Sequence, residues 1–281
     1  MPFGYHGCVL RIDASSGHAE RVPVSDDVLR AYLGGSGLGT RLLLDAGAAE
    51  ADPLSPEATI VFAFSPLVGS PLTTSAKFAV VSKSPLTGRI NDSLASSGFA
   101  VAGKGVGCDA LVISGQAREL SVLVIDADGM EDGALPAVRL EPAAEFRGAI
   151  CRDTEDGLRA RLGATFRIAS IGPAGERLVR YATISHDGRH AGRGGSGAVL
   201  GAKRIKAIAV RGKRRTQWAR PDELTALSRD LSKRSFGRPP RSTASSARPR
   251  TCWSSTGSDR CPRATSSRGP STRPRVCRPR R

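Results

Sequence analysis

The chain has 281 residues, 40% of them hydrophobic, which is ample for a core, and no apolar run approaches the ~20 residues of a membrane-spanning helix. Its formal charge of +16 is lopsided: residues 235–281 hold twelve arginines, one acid (Asp259) and no lysine, a net of +11 that leaves +5 for residues 1–234. The basicity therefore belongs to the tail and not to the part that can fold, and the six cysteines (8, 108, 151, 252, 261, 277) contain no C-x-x-C pair for zinc or an iron–sulfur cluster.

Residues 1–7 lead into a charged strand and not into a 7–15-residue apolar stretch, so no secretory leader is expected and the cytoplasm is the expected compartment. Cys8, Cys108 and Cys151 lie in apolar contexts and read as buried free thiols. Residues 8–12 and 20–24 are expected as strands around a 13–17 turn. Ser25, Asp26 and Asp27 make an N-cap and an acidic first turn for a helix carrying Val28, Leu29, Tyr32 and Leu33. Residues 34–39 hold four glycines and are expected to break that helix, which resumes at 40–45; such a break suits close approach to a ligand or a plain turn.

A rigid connector at 52–57 leads to an apolar strand at 59–64, a loop, and a strand at 77–82. Residues 90–98 read as a small polar stretch, followed by strands at 111–114 and 121–126, a helix at 154–162 and a strand at 166–171. Strand-like runs at 178–183 and 205–210 flank residues 184–203, which contain six glycines, two arginines and two histidines. Glycines this dense free backbone N–H groups, and the guanidiniums of Arg189 and Arg193 offer planar forks for anionic oxygens. The expectation is a phosphate-gripping loop feeding a helix at 195–203, with a solvated glycine-rich turn as the alternative.

Gly192, Gly194 and Gly197 also satisfy G-x-G-x-x-G, but the strand after them runs into Arg211, and no carboxylate comes before Asp222 where a dinucleotide site wants one. A P-loop fails because Lys203 is followed by arginine in place of Ser/Thr. His186 and His190 are four apart, as a metal pair on a helix would be, yet Gly188 and Gly192 argue for a loop. An internal echo is visible: helix, strand 59–66, loop, strand 77–82 and a glycine/serine loop, then helix, strand 166–173, loop, strand 178–185 and the arginine-rich loop. Two copies of one unit would set two polar loops opposite each other about a pseudo-twofold.

Taken together, YLGGSGLG (32–39), DPLSPE (52–57), KFAVVSKSPLTG (77–88), GCDALVISGQA (107–117), IASIGPAGERLVR (168–180) and DGRHAGRGGSGAVLGAKRIKAIAV (187–210) resemble, in order and spacing, the N-terminal domain of the tungsten-dependent aldehyde:ferredoxin oxidoreductases. The resemblance implies an α+β domain over residues 1–212, two β-sheets from a duplicated unit forming a base for a tungsten bis-pyranopterin. It implies cofactor contacts from Lys77, from Asn91, Ser93 and Ser96, from Arg189, His190, Gly192, Arg193 and Gly194, with Gly35 and Ser36 nearby. Two positions depart from the family pattern: Lys77 stands where arginine is common, turning a fork into a point charge, and Leu94 stands where many members have asparagine.

The resemblance further implies aldehyde as substrate, ferredoxin as partner and a homodimer, with no membrane association. Full-length members also carry a 4Fe–4S cluster and acid/base residues in later helical domains; none of those ligands is in this chain, so the chain alone is expected to bind cofactor without turning over. Residues 213–234 are expected as a linker and first helix (221–233) of a second domain. Residues 235–281 are expected to be a disordered Arg/Ser/Pro tail. One permitted choice of codons for 251–269, read one base out of frame, yields an apolar peptide resembling the family's next segment, so a frameshift product is the expectation there. Two further functions stand beside the cofactor base: a basic nucleic-acid binder acting through the tail, which lacks interleaved aromatics, and a dinucleotide oxidoreductase lacking its ribose carboxylate.

Overall fold

The computed structural model describes residues 3–48, 50–131 and 133–236, which fall within one compact unit, Met1–Gly237. Its central strands are apolar on both faces, and this dictates layers. In β3 (Ile60–Phe64), Phe62 and Phe64 face one core while Val61 and Ala63 face another. Strands read as continuous apolar runs when both faces of a sheet are covered.

Two six-stranded sheets result. The first contains β1 (Cys8–Asp13), β2 (Ala19–Pro23), β3, β4 (Lys77–Lys83), β5 (Ile90–Ser96) and β6 (Ala110–Ser114), in the order β2-β1-β6-β3-β4-β5. The second contains β7 (Ser121–Asp126), β8 (Ala137–Pro142), β9 (Arg167–Ser170), β10 (Ile184–His186), β11 (Arg189–Ala191) and β12 (Ile205–Arg211), in the order β8-β7-β12-β9-β10-β11. The orders are the same with six added to each number. The pairing senses match too: β1/β6 and β7/β12 are parallel, and every other pair is antiparallel. The duplication expected from the sequence is therefore complete, six strands and not two per copy.

The helices repeat as well. A helix precedes the third strand of each copy, α2 (Gly35–Asp45) and α4 (Cys151–Leu162), and covers the outer face of its sheet. A helix precedes the sixth strand, α3 (Gly98–Gly105) and α6 (Ser196–Ala202), and touches both sheets from between them. Phe99 of α3 and Val199 and Leu200 of α6 join the central core with Leu10, Phe62, Phe78, Leu111, Leu123, Ile125, Ile184 and Ile208. Each such side chain contributes roughly 1.5–3 kcal/mol on burial. Outside the repeat lie α1 (Asp26–Tyr32), α5 (Pro173–Glu176) and α7 (Pro221–Phe236).

Several sequence expectations need correction. Residues 34–39 do not break a helix; only Leu33 and Gly34 separate α1 from α2, and the glycines form the first turn of α2. They serve packing: a Cβ on Gly39 would lie 2.6 Å from Val81 Cγ2, and one on Gly37 2.4 Å from the Tyr32 carbonyl. Residues 90–98 are mostly strand, β5, and the glycine-bearing segment that follows is α3, both formed because pairing with β4 and packing between the sheets override weak propensity. Residues 178–183 are not a strand: Leu178 takes φ 56°, and the segment turns to let the Ala182 carbonyl accept from Gly197 N. The strand starts at Ile184.

The helix expected at 221–233 is α7, ending at Phe236. Beyond it, the expectations for residues 237–281 (tail, frameshift, Cys252, Cys261 and Cys277) lie outside the described residues. Among the described residues no helix is long and apolar enough to cross a membrane.

Candidate functional site

The sheets' last strands, β5 and β11, are edges, and the fold brings them side by side. Between them opens a cleft of about 590 Å³ lined by Lys77, Leu94, Ala95 and Ser96 from the first copy and Gly188, Arg189 and His190 from the second. Lys77 and Ser96 are direct partners in the β4/β5 register, so one end of that hairpin presents both. The pleat of β5 buries Ser93 and Ala95 and turns Leu94 out, at 66% exposure.

β5 is the common support of the site. Asn91 Nδ2 donates to the Arg193 carbonyl at 3.1 Å, and Ser93 Oγ accepts from Arg193 N at 3.0 Å. Between them, Asp92 accepts from Ser36 Oγ at 2.5 Å, which ties the start of α2 to the same strand. Asn91 and Ser93 thus clamp a loop backbone and leave the Arg193 side chain exposed.

The loop glycines divide into two kinds. Gly194 and Gly195 take φ 68° and 76°, and a Cβ on either would lie 1.9 Å from Asn91 Cγ or the Arg180 carbonyl. They let the loop press against its own protein. Gly192 has no such restraint; its nearest neighbour to an added Cβ is His190 Cδ2 at 3.8 Å. Gly35 is open as well, with nothing within 4 Å of an added Cβ. Gly35, Gly192 and the cleft-lining Gly188, which also has nothing within 4 Å of an added Cβ, have free backbone faces that a ligand could approach.

The two histidines part company. His186 is fully buried between Phe78 and Phe99, its Nδ1 2.8 Å from Ser97 Oγ and its Nε2 without a partner. Burial pushes its pKa down to about 4. His190 is exposed on β11. They lie on paired strands and not on one helical face, and among the described residues no group of three metal ligands forms.

Asp187, which sequence reasoning passed over, fixes the hairpin. It accepts from Phe99 N at 3.0 Å at the start of α3 and from Arg159 Nη2 at 2.9 Å. The missed signal was the Asp187–Gly188 dipeptide, whose two positive φ values (47° and 71°) suit a tight hairpin turn.

Charge is one-sided. Some exposed arginines face carboxylates, as Arg41 does Asp45 and Arg161 does Glu145. Among the described residues Lys77, Arg189 and Arg193 make no ion pair, and the cleft lining contains no carboxylate. The G-x-G-x-x-G glycines do not sit in a dinucleotide unit: β11 and β12 are not neighbours, and β12 runs antiparallel to β9 beside it.

Residues 9–212 match the family described as "Aldehyde ferredoxin oxidoreductase, N-terminal domain". The chain belongs to that family. It is 37% identical over 232 residues to the tungsten-containing aldehyde ferredoxin oxidoreductase of Pyrococcus abyssi, covering 81% of this chain and 37% of that one. It is 30% identical over 219 residues to the aliphatic sulfonate oxidoreductase, WOR-like subunit, of Pyrococcus furiosus, covering 75% and 35%. Among solved structures it superposes on the active site complex BamBC of benzoyl coenzyme A reductase in complex with 1,5-dienoyl-CoA, with a TM-score of 0.77 and 32% identity, covering 83% of this chain and 35% of that one. The chain spans little more than a third of the length of the relatives it matches.

Proposed function

We propose that residues 1–212 are the cofactor-binding base of a tungsten-pterin aldehyde oxidoreductase, and that the cleft between β5 and β11 receives the phosphate-bearing end of the cofactor. The observation that carries this is the pair of unpaired cations, Lys77 and Arg189, that line a carboxylate-free cleft where the two copies meet, with exposed Arg193 on the adjoining loop clamped to β5. Such cations satisfy doubly charged oxygens, the arginines by bidentate forks and the lysine as a point charge. Gly35 and Gly192 let a flat ring system lie against backbone. Ser96 and His190 offer polar atoms at the rim, while Asn91, Ser93, Gly194 and Ser36 act indirectly by holding the loop and the start of α2.

A bound tungsten bis-pyranopterin would supply the oxidation of an aldehyde with water to a carboxylate, its electrons leaving to ferredoxin through a 4Fe–4S cluster in full-length relatives. This chain's residues bind and orient. The cleft presents no carboxylate to move a substrate proton, so the chain is proposed to be inactive by itself. Residues 213–236 then form the linker and opening helix of the next domain. A nucleic-acid partner would act through the arginines of residues 238–281, outside the described residues.

The test is to express the chain with tungstate and determine tungsten and oxidised-pterin fluorescence per chain. Both should co-purify near stoichiometrically. Their absence, with quenching of Trp218 fluorescence by NADH instead, would refute the proposal.

A further inference from the structure

At the far end of the first sheet from the cleft, two buried thiols face each other. Cys8 opens β1 and Cys108 precedes β6, on the strands that pair in parallel, and both side chains join the core between the sheets. Their sulfurs are 3.7 Å apart. Cys8 retains 7% exposure and Cys108 none. The Arg21 guanidinium, on the neighbouring strand β2, donates to Cys8 Sγ twice, from Nη2 at 3.0 Å and Nε at 3.3 Å, and is anchored by the Gly107 and Ala134 carbonyls. Nothing in the cofactor cleft uses these groups.

From this geometry we propose that Cys8 and Cys108 are a peroxide-sensitive dithiol, with Cys8 the attacking sulfur and Cys108 the resolving one. The asymmetry is built in. The neighbouring Cys108 thiol and the Arg21 guanidinium pull the Cys8 thiol down to about 6, against burial and the charge of Asp109. Cys108 is pushed up, by its contact with Cys8 and by its own burial. Lys104 pairs with Asp109 at 3.0 Å and limits that carboxylate's opposition. Low-pKa thiolates with some exposure beside a resolving thiol are the ones that oxidise reversibly.

The chemistry balances with hydrogen peroxide as oxidant. The Cys8 thiolate attacks one peroxide oxygen; an S–O bond forms, the O–O bond breaks, and the departing hydroxide takes a proton to become water. Cys108 then attacks Cys8 sulfur; the S–S bond forms, the S–O bond breaks, and the second hydroxide leaves as water with the Cys108 proton. Two thiols and one peroxide become one disulfide and two waters. The bridge would tie β1 covalently to β6 and close residues 8–108 into a loop, so the oxidised protein should melt at higher temperature.

The experiment treats the full chain, purified reduced, with a few equivalents of hydrogen peroxide under native conditions. It then blocks remaining thiols and maps non-reduced peptides by mass spectrometry. The proposal expects a Cys8–Cys108 linked peptide pair, lighter by two hydrogens and lost on adding a thiol reductant. Cys108→Ser should accumulate a Cys8 sulfenic acid that dimedone traps, and Arg21→Gln should slow the reaction about tenfold while leaving the fold intact by circular dichroism. Both cysteines alkylating as free thiols after peroxide would overturn it. So would Cys8 joining any other cysteine, or oxidising past the sulfenic state with Cys108 intact.

Discussion

The two copies share every strand and every pairing sense, yet they are finished differently at the edge. In the first, β4 and β5 run seven residues each and make a long hairpin. In the second, the equivalent β10 and β11 are three residues each; β11 itself opens on Arg189, and the chain released after it forms the loop that displays Arg193. One copy supplies a rigid rail; the other supplies a charged arm that the rail holds through Asn91 and Ser93. The lesson is that duplication gives the frame, and function enters where the duplicates diverge.

The buried lysines diverge likewise. Each copy has one at the end of the helix before its last strand. Lys104 is matched by Asp109 and the Gly4 and Ser65 carbonyls, whereas Lys203 faces only carbonyls, of Pro56, Ala58 and Gly115. Burial pulls the Lys203 ammonium down to about 8, opposed only by the charges of Glu57 and Asp13.

The loop gives the largest expected effect. Gly195→Ala must relieve both φ 76° and a 1.9 Å approach to the Arg180 carbonyl, so urea unfolding should show a loss of more than about 4 kcal/mol or no folded protein. Gly192→Ala, three residues away in the same loop, should unfold as wild type; equal losses would mean that the loop's two kinds of glycine are not distinct.

Next come the lysines. Lys104→Met strands Asp109 in the core and should cost about 4 kcal/mol, while Lys203→Met leaves only neutral carbonyls unsatisfied and should cost about 2 kcal/mol. A reversed order in chemical denaturation would break the comparison between the copies.

His186 sharpens it in pH. Its ordinary value is 6.5 and its buried value about 4, so the neutral form is the folded one. Its contribution is complete above pH 6.5 and is lost as pH falls from 6.5 toward 4, by up to about 3 kcal/mol. His186→Phe should flatten that part of the stability profile relative to wild type; an unchanged slope would show that the imidazole titrates freely.

The smallest effect belongs to the cleft. Lys77→Ala, Arg189→Ala and Arg193→Ala lack ion-pair partners and should each shift stability by less than about 0.5 kcal/mol, a value differential scanning fluorimetry can bound.

The layers were legible in the sequence because apolar runs such as residues 59–64 and 205–210 declare strands covered on both faces. The N-cap at Ser25 was legible for the same local reason, and its Oγ accepts from Val28 N. Half of the repeat was legible too. The rest was not, because β5, α3 and β11 are built from small and polar residues whose structure comes from neighbours far away in the chain. The cations of the site were visible as a motif; their support was not. Nothing in N-D-S announces that its middle residue holds α2 and its flanks hold a loop 100 residues on.

The most direct measurement is the pterin content of the chain purified from tungstate-grown cells, compared between wild type and Arg189→Ala/Arg193→Ala, with Arg161→Ala as a control from outside the cleft. The account predicts bound pterin in wild type and control and at least a tenfold loss in the double variant, a difference of about 1.4 kcal/mol or more. Equal pterin in all three would contradict the assignment of the cleft, and the role of the arm with it.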